Sequence, residues 1–259
     1  MPTYNSEKTI LKTIKSILNQ TYKKIEIIVV DNSDNLKTVN IIRNIGSKKI
    51  KIINVKEKIL NGEARNIGVK KSSKNSKFIA FCDSDDWWKP NKIETQIKIM
   101  NEKKIKLSCT NYDFYNPKTK KMIKSYFKIP FNNINFKMLS IKNILGTSSV
   151  VVEKKLFLDV GGFPEKKYFY SFEDYFLWLK LADKENFYFI DSNLTVYRDD
   201  RKNSASKNSK SLPSQRLRII FYYLFKINFK NLFNLIVGNV VLFKSKFFTE
   251  KNNEYINLL

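Results

Sequence analysis

FIAFCDSDDWWKP, residues 78–90, runs from an apolar segment straight into three aspartates, Asp83, Asp85 and Asp86. Phe78, Ile79, Ala80, Phe81 and Cys82 read as a strand covered on both faces, and Pro90 marks the first turn of a following helix. Carboxylates at the carboxyl end of such a strand stand where open α/β sheets bind ligands. Three acids this close repel one another, so the arrangement is eased by a cation or a cation-bearing ligand. A hard divalent metal carrying a diphosphate suits it, while a solvated acidic turn with a helix-capping aspartate accounts for the same three residues.

Upstream, Ile10, Leu11, Ile14, Ile17 and Leu18 have helical spacing behind Asn5 and Ser6, both good N-caps. IEIIVV (25–30) predicts a buried strand ending at Asp31, residues 36–45 a helix, IKIINV (50–55) another strand, and 61–71 a helix carrying Arg65 and Asn66. A further helix is expected from Pro90 to about Glu102. This alternation predicts an α/β fold with a mostly parallel sheet flanked by helices on both faces. Thr3 with Tyr4, Asp31 with Asn32, and Asp83 to Asp86 then fall at strand ends on one sheet edge, where one crevice can hold them all. No glycine-rich fingerprint follows any strand, so a dinucleotide site or a P-loop is not supported. A nucleotide here must be held by side chains and metal.

Composition removes several alternatives. The chain has 259 residues and no histidine, which excludes a histidine base and histidine metal ligands. Cys82 and Cys109 lie in apolar stretches and read as reduced core residues of a cytosolic protein. The start, MPTYNSEKT, lacks the apolar core of a secretory signal. The net charge of +24 invites a nucleic-acid reading. However, arginine occurs only at positions 43, 65, 198, 201, 216 and 218, and the lysines are spread along the chain beside abundant Asn and Ile. That is a compositional bias rather than a phosphate-backbone footprint, and no nucleic-acid partner is expected. What remains is a surface attracted to polyanions, anionic membranes included.

From residue 105 the pattern turns to α+β: a strand KIKLSCTNYDFY, a hairpin around Asn116 to Lys121, a helix near 134–141 and a strand TSSVVV at 147–152. Gly161 and Gly162 break the chain before Phe163 and Pro164, and SFEDYFLWLKLA (171–182) reads as a helix with Glu173 and Asp174 in its first turn. The helix dipole alone favours acids there. A strand at 187–198 ends on Tyr197 and Arg198, followed by the linker KNSASKNSKSLPS.

The ordered set Pro2-Thr3-Tyr4-Asn5, VVDNSD (29–34), Ala64-Arg65-Asn66 with Gly68, Asp83-Ser84-Asp85-Asp86-Trp87-Trp88, Gly161-Gly162-Phe163 and Glu173-Asp174 resembles family 2 glycosyltransferases of the GT-A fold, over roughly residues 2–206. The resemblance implies an inverting, metal-dependent transfer of a sugar from a nucleotide-diphosphate sugar, a UDP-sugar first, to an acceptor hydroxyl. It also implies the roles. Thr3, Tyr4, Asp31, Asn32, Arg65, Asp83 and Ser84 bind the nucleotide sugar; Asp85, with Asp83 and Asp200, holds Mg²⁺ or Mn²⁺; Asp174 is the general base, with Glu173 as the second candidate. Trp87 and Trp88 read as packing residues. Family members often carry two aspartates followed by Gly-Ser where this chain has Asp31-Asn32-Ser33-Asp34, and a His after a Tyr-Arg pair where it has Asp199 and Asp200. They also carry an apolar strand of the sheet centre before the Pro-Thr-Tyr-Asn segment; here Met1 directly precedes Pro2, so that strand is expected to be missing, from a misassigned start or a truncated sequence.

Residues 214–248 are rich in bulky apolar residues interspersed with Arg and Lys, and their longest uncharged run, 231–243, is too short to span a bilayer. They predict helices lying on an anionic membrane surface, with packing against the catalytic domain as the alternative. The expected organisation is a catalytic domain at 1–206 and a basic, apolar helical tail at 207–259. The expected protein is cytoplasmic, peripheral at the inner face of the cell membrane, and uses a glycan or lipid-linked acceptor. A polyanion-binding module, a glycoside hydrolase with paired carboxylates, and a truncated, inactive homologue acting as a binding module are the competing readings.

Overall fold

The computed structural model describes residues 1–124, 129, 132–199, 219 and 233–237. The first half alternates as expected. β1 (Pro2–Thr3), β2 (Ile27–Asp31) and β3 (Ile50–Asn54) form a parallel sheet in which Pro2 faces Val30, Thr3 faces Asp31, and Ile27 to Asp31 face Ile50 to Asn54. The crossovers are α1 (Ile10–Leu18) and α2 (Lys37–Arg43). α1 buries Ile10, Ile14 and Ile17, each worth about 1.5–3 kcal/mol when fully removed from water. Its N-cap is Thr9, with no side-chain cap bond; Asn5 instead adopts a positive φ of 47°, and Ser6 is drawn into the adjoining loops.

After α3 (Asn61–Lys70) come β4 (Phe78–Ala80), β5 (Trp87–Trp88) and α4 (Lys92–Glu102). Pro90 precedes α4 rather than opening it. The second sheet is mixed, as the α+β pattern from residue 105 anticipated, but it also takes β4, which was expected in the parallel sheet and instead pairs antiparallel with β9. Its members are β4, β5, β6 (Leu107–Asn116), β7 (Lys121–Lys124), β8 (Asn133–Ile134), β9 (Val151–Glu153) and β10 (Phe187–Arg198), and the central path runs β4-β9-β6-β10-β5. β6 and β10 are parallel, whereas β4 and β6 pair antiparallel with β9, and β5 pairs antiparallel with β10. α5 (Phe136–Ile141), α6 (Lys154–Asp159) and α7 (Glu173–Ala182) complete the described elements. The stretch TSSVVV is not one strand: Thr147–Ser149 forms a 3₁₀ turn, and only Val151 onward pairs.

The apolar core clusters around α7, where Leu177, Trp178, Leu179 and Leu181 are fully buried. Ile219 and Leu235, from the segment expected as a tail, are buried in the same cluster, and Ser140 Oγ donates to the Asn234 carbonyl at 3.1 Å. Both cysteines are buried and reduced.

β1 holds only two residues, and behind it the Met1 amino group donates to the Ile28 carbonyl at 3.0 Å. A cavity of about 620 Å³ continues this line between Lys23–Ile28 and Phe78–Cys82, with Ile17, Ile93 and Ile97 among its walls. The central strand expected from the resemblance thus has no counterpart beyond Pro2 and Thr3 among the described residues. Burial pushes the Met1 amino group down to about 6, and the nearby Arg65 charge acts in the same direction.

Candidate active site

The polar strand ends converge. Thr3, placed opposite Asp31 by the β1–β2 register, donates its hydroxyl to Asp31 Oδ1 at 2.7 Å, and Ser33 Oγ donates to the same oxygen at 2.7 Å. Both Thr3 and Asp31 are buried. Tyr4 stands at the exposed rim, donating to Asp34 Oδ2 at 2.6 Å, and Asn5 donates to that oxygen at 2.9 Å. These two bonds hold the Asp34 carboxyl below the usual carboxylate range. Asn32, in the amide orientation that satisfies both neighbours, donates to the Thr3 carbonyl at 3.2 Å and accepts from the Ile59 N–H at 3.1 Å, so its side chain braces the loop between β3 and α3.

The acidic turn is tied to α1 through Ser84, whose Oγ lies 2.8 Å from Ser6 Oγ and whose carbonyl accepts from Thr13 at 3.0 Å. Its three aspartates have different environments. Asp83 accepts from Arg65 Nη2 at 2.7 Å. Asp86 is buried, accepting from Ser148 Oγ at 2.6 Å and from the Arg198 N–H at 2.9 Å. Burial, then the charges of Asp85 and Asp83, push the Asp86 carboxyl well up. It is therefore a structural tie between this turn and the end of β10. Asp85 is half-buried on the turn between them. Tyr197 also meets this cluster: burial first, and then Asp86, Asp83 and Asp85, raise its phenol. Trp88 is buried with its indole N–H on the Ser148 carbonyl at 2.9 Å, and Trp87 lies under Lys12 at 3.1 Å from the ring centroid, so both tryptophans pack as expected.

Arg65 joins this acidic turn to α7. Its side chain is 4% exposed, and Nη1 donates to Glu173 Oε1 at 3.0 Å while Nη2 holds Asp83. Burial opposes the guanidinium charge, but the Asp83 and Glu173 carboxylates outweigh it and keep the group firmly protonated. The ring of Phe163 lies 5.2 Å from the guanidinium carbon. Two glycine positions make this junction possible. A Cβ on Gly62 would stand 3.2 Å from Glu173 Cγ and 3.0 Å from the Pro164 carbonyl. A Cβ on Gly162, whose φ is +66°, would lie 2.6 Å from Asn66 Oδ1. Asn66 in turn accepts from the Phe163 N–H at 3.0 Å and donates to its carbonyl at 2.9 Å, which docks the Gly-Gly-Phe turn on α3.

Asp174, beside Glu173 in the first turn of α7, accepts from Thr147 Oγ1 at 3.0 Å and from the Tyr175 N–H at 2.6 Å. Burial, then the Glu173 charge, push its carboxyl up to about 6, against the opposing pull of Arg65 and the two hydrogen bonds. Thr147 and Ser148 are the site residues that the sequence reading missed. Their signal, a Gly-Thr-Ser-Ser run before an apolar strand, looks like the strand's own beginning.

A hard divalent cation can be tested against these residues. Among the described residues no three His, Cys, Asp or Glu side chains close on one point. Asp86 has an oxygen engaged by Ser148 and the other by Arg198, and Asp83 gives one to Arg65. Asp83 and Asp85 both stand on this turn, and one or two carboxylates is the number Mg²⁺ draws from protein when substrate phosphates and water complete its shell. Asp200 lies outside the described residues.

A parallel sheet ending on Asp31, a separate mixed sheet, and flanking helices that carry Arg65 and the Glu173–Asp174 pair make an α/β fold of the GT-A type. The comparisons agree. The model of glycosyl transferase family 2 matches residues 1–158, and the chain belongs to that family. It is 34% identical, over 83% of its length and 81% of the relative's, to the Escherichia coli UDP-Glc:alpha-D-GlcNAc-diphosphoundecaprenol beta-1,3-glucosyltransferase WfgD. In fold it is similar to S. aureus TarS crystallised with UDP-GlcNAc, with a TM-score of 0.68 at 20% identity over 86% of this chain and 65% of that one. It is also similar to the mannosyltransferase PcManGT from Pyrobaculum calidifontis with GDP-Man and Mn²⁺, at a TM-score of 0.60 and 15% identity over 93% and 72% of the two chains. The protein is a nucleotide-sugar glycosyltransferase.

Proposed function

We propose that the protein moves a sugar from a UDP-sugar to a hydroxyl of a lipid-linked diphosphate glycan, with inversion at the anomeric carbon. The observation that carries this reading is the Arg65 bridge, which links the donor-side carboxylate Asp83 to the Glu173–Asp174 pair in one buried junction. The relative WfgD, named for a UDP-Glc donor and a diphosphoundecaprenol-linked acceptor, supports the substrate classes.

Inversion needs one in-line displacement and one base on the face opposite the leaving group. Asp174 takes the proton of the acceptor hydroxyl, the acceptor oxygen bonds to the anomeric carbon, and the bond from that carbon to the diphosphate oxygen breaks. A carboxyl raised to about 6 is basic enough for this while still ionised at neutral pH. On the donor side, Thr3 and Asp31 line the base and ribose pocket with Asn32 and Tyr4 at its edge, Arg65 and Ser84 frame the diphosphate, and Asp83 approaches the ribose. Mg²⁺ or Mn²⁺, when bound with the donor at Asp85 and Asp83, would neutralise charge on the departing diphosphate.

Calorimetry with UDP, with and without Mn²⁺, tests the donor site. Metal-dependent binding is expected in the native chain, with loss of that dependence in Asp85→Asn and a smaller weakening in Asp83→Asn. Unchanged affinity in Asp85→Asn removes this residue from the cation site, and no UDP binding at all by the native chain removes the donor assignment.

A lipid-linked acceptor would bring the enzyme to a membrane surface, with residues 1–206 proposed as the catalytic domain and the basic, apolar tail at 207–259 as its attachment. No helix among the described residues is long and apolar enough to cross a membrane. In the short helix at 233–237, Leu235 faces the core while Phe233, Ile236 and Val237 are exposed, and such a face suits the headgroup region. Sedimentation with anionic liposomes should carry the full chain down at low salt and release it as salt rises. A chain that stays in the supernatant at low salt contradicts membrane attachment.

A further inference from the structure

Two adjacent residues of one turn hold the two halves of the site. In the 3₁₀ turn Thr147–Ser149, the Thr147 hydroxyl donates to Asp174 Oδ2 at 3.0 Å. The next hydroxyl, Ser148 Oγ, accepts from the Asp83 N–H at 3.0 Å and donates to Asp86 Oδ2 at 2.6 Å. All three turn residues are buried, and Ser149 closes the turn through its hydroxyl on the Gly146 carbonyl at 2.7 Å. The Ser148 carbonyl accepts the Trp88 indole, which anchors the turn to β5 from the other side. A sequence of two residues therefore fixes the separation between the base carboxylate and the donor-binding turn, independently of the Arg65 bridge.

We propose that Thr147 and Ser148 are positioning residues for the transfer: Thr147 aims the Asp174 carboxylate at the acceptor hydroxyl, and Ser148, clamped by Asp86, sets the Asp83 turn against the donor. This rests on the assignment of Asp174 as the base. The division of labour makes the two neighbours separable by experiment. The Thr147 hydroxyl bonds Asp174, so its loss acts on the base's ionisation and aim; the Ser148 hydroxyl bonds the Asp83–Asp86 turn, so its loss acts on donor binding.

The charged groups that face Asp174 are Glu173 on its own helix and Arg65 from α3, while Thr147 and the Tyr175 N–H supply its hydrogen bonds. Thr147→Val keeps the side-chain volume and deletes the hydroxyl, which stabilises the carboxylate. The acid limb of kcat against pH is then expected to move upward by about one pH unit, with a donor KM within about twofold of the native value. Thr147→Ser should restore the limb. Ser148→Ala should raise the donor KM by about tenfold and leave the acid limb in place.

A readout that needs no turnover is the ¹³C carboxyl titration of labelled aspartate, with the Asp174 signal identified by its loss in Asp174→Asn. Its midpoint should rise in Thr147→Val and stay in Ser148→Ala. If both variants merely lower the melting temperature, with the titration, acid limb and donor KM unmoved, the turn is ordinary structure and the proposal is wrong. Absence of turnover in the native chain would refute the transfer reading, and the titration would still decide whether Thr147 governs Asp174.

Discussion

Replacement of Asp174 by asparagine is expected to lower kcat by about 10²-fold or more while leaving donor affinity nearly intact, the pattern of a lost general base. The two acids at the start of α7 differ in what neutralises them. Glu173 is ion-paired with Arg65 at 3.0 Å, which commits its carboxylate to the bridge. Asp174 meets only a hydroxyl and a backbone N–H as direct partners in the bonds described above, and burial raises its carboxyl to about 6. Since the base works as the carboxylate, the native rate should fall as pH drops through about 6 and level off above it. Steady-state kinetics of Asp174→Asn and Glu173→Gln decide the assignment. The reverse order of losses moves the base to Glu173, and two near-native variants end the catalytic reading of this helix.

Arg65→Met should be the most destabilising single change at the site. It removes the cation between Asp83 and Glu173, at side-chain exposures of 31% and 12%, and leaves two partly or largely buried carboxylates facing one another. Breaking a buried ion pair from one side typically costs about 3–5 kcal/mol. For a domain of this size each kcal/mol lowers the melting temperature by roughly 2–4 °C, so a fall on the order of 10 °C is expected in thermal unfolding. The same change withdraws the positive charge that pulls the Asp174 carboxyl down, so the acid limb of the rate profile should also move to higher pH. Adding Glu173→Gln to Arg65→Met should recover part of the stability, because it removes one of the stranded charges. A melting temperature within about 2 °C of native for Arg65→Met would mean the bridge contributes little, as exposed pairs do.

The parts of this site legible in the sequence are those with a local signature. Asp83 to Asp86 ended an apolar strand, Glu173 and Asp174 opened a helix rich in apolar residues, and Asp31 closed a run of β-branched residues; each pattern fixes both the element and the end at which the acids stand. Thr147 and Ser148 had no such signature. Val150, Val151 and Val152 carry strand propensity that extends backward over the preceding serines, whereas the 3₁₀ turn is imposed by partners distant in sequence, Asp83, Asp86 and Asp174. Asp86 shows the converse difficulty. Beside Asp83 and Asp85 it reads as part of one acidic cluster, but Ser148 and the Arg198 N–H, both far along the chain, make it structural. Likewise Asn5 and Ser6 looked like caps for α1, yet contacts to Ser33, Asp34, Thr38 and Ser84 take their polar groups and leave the cap to Thr9.

The most direct test of the account is the configuration of the sugar it transfers. The enzyme is supplied with a UDP-sugar of known anomeric configuration, Mn²⁺ and a lipid-diphosphate-linked sugar acceptor, and the product's anomeric proton coupling is read by NMR. A new glycosidic bond of opposite configuration to the donor is predicted, formed by the native chain and reduced about 10²-fold in Asp174→Asn. A product that keeps the donor's configuration would contradict single displacement with Asp174 as base, and release of free sugar with no glycosidic product would contradict transfer itself.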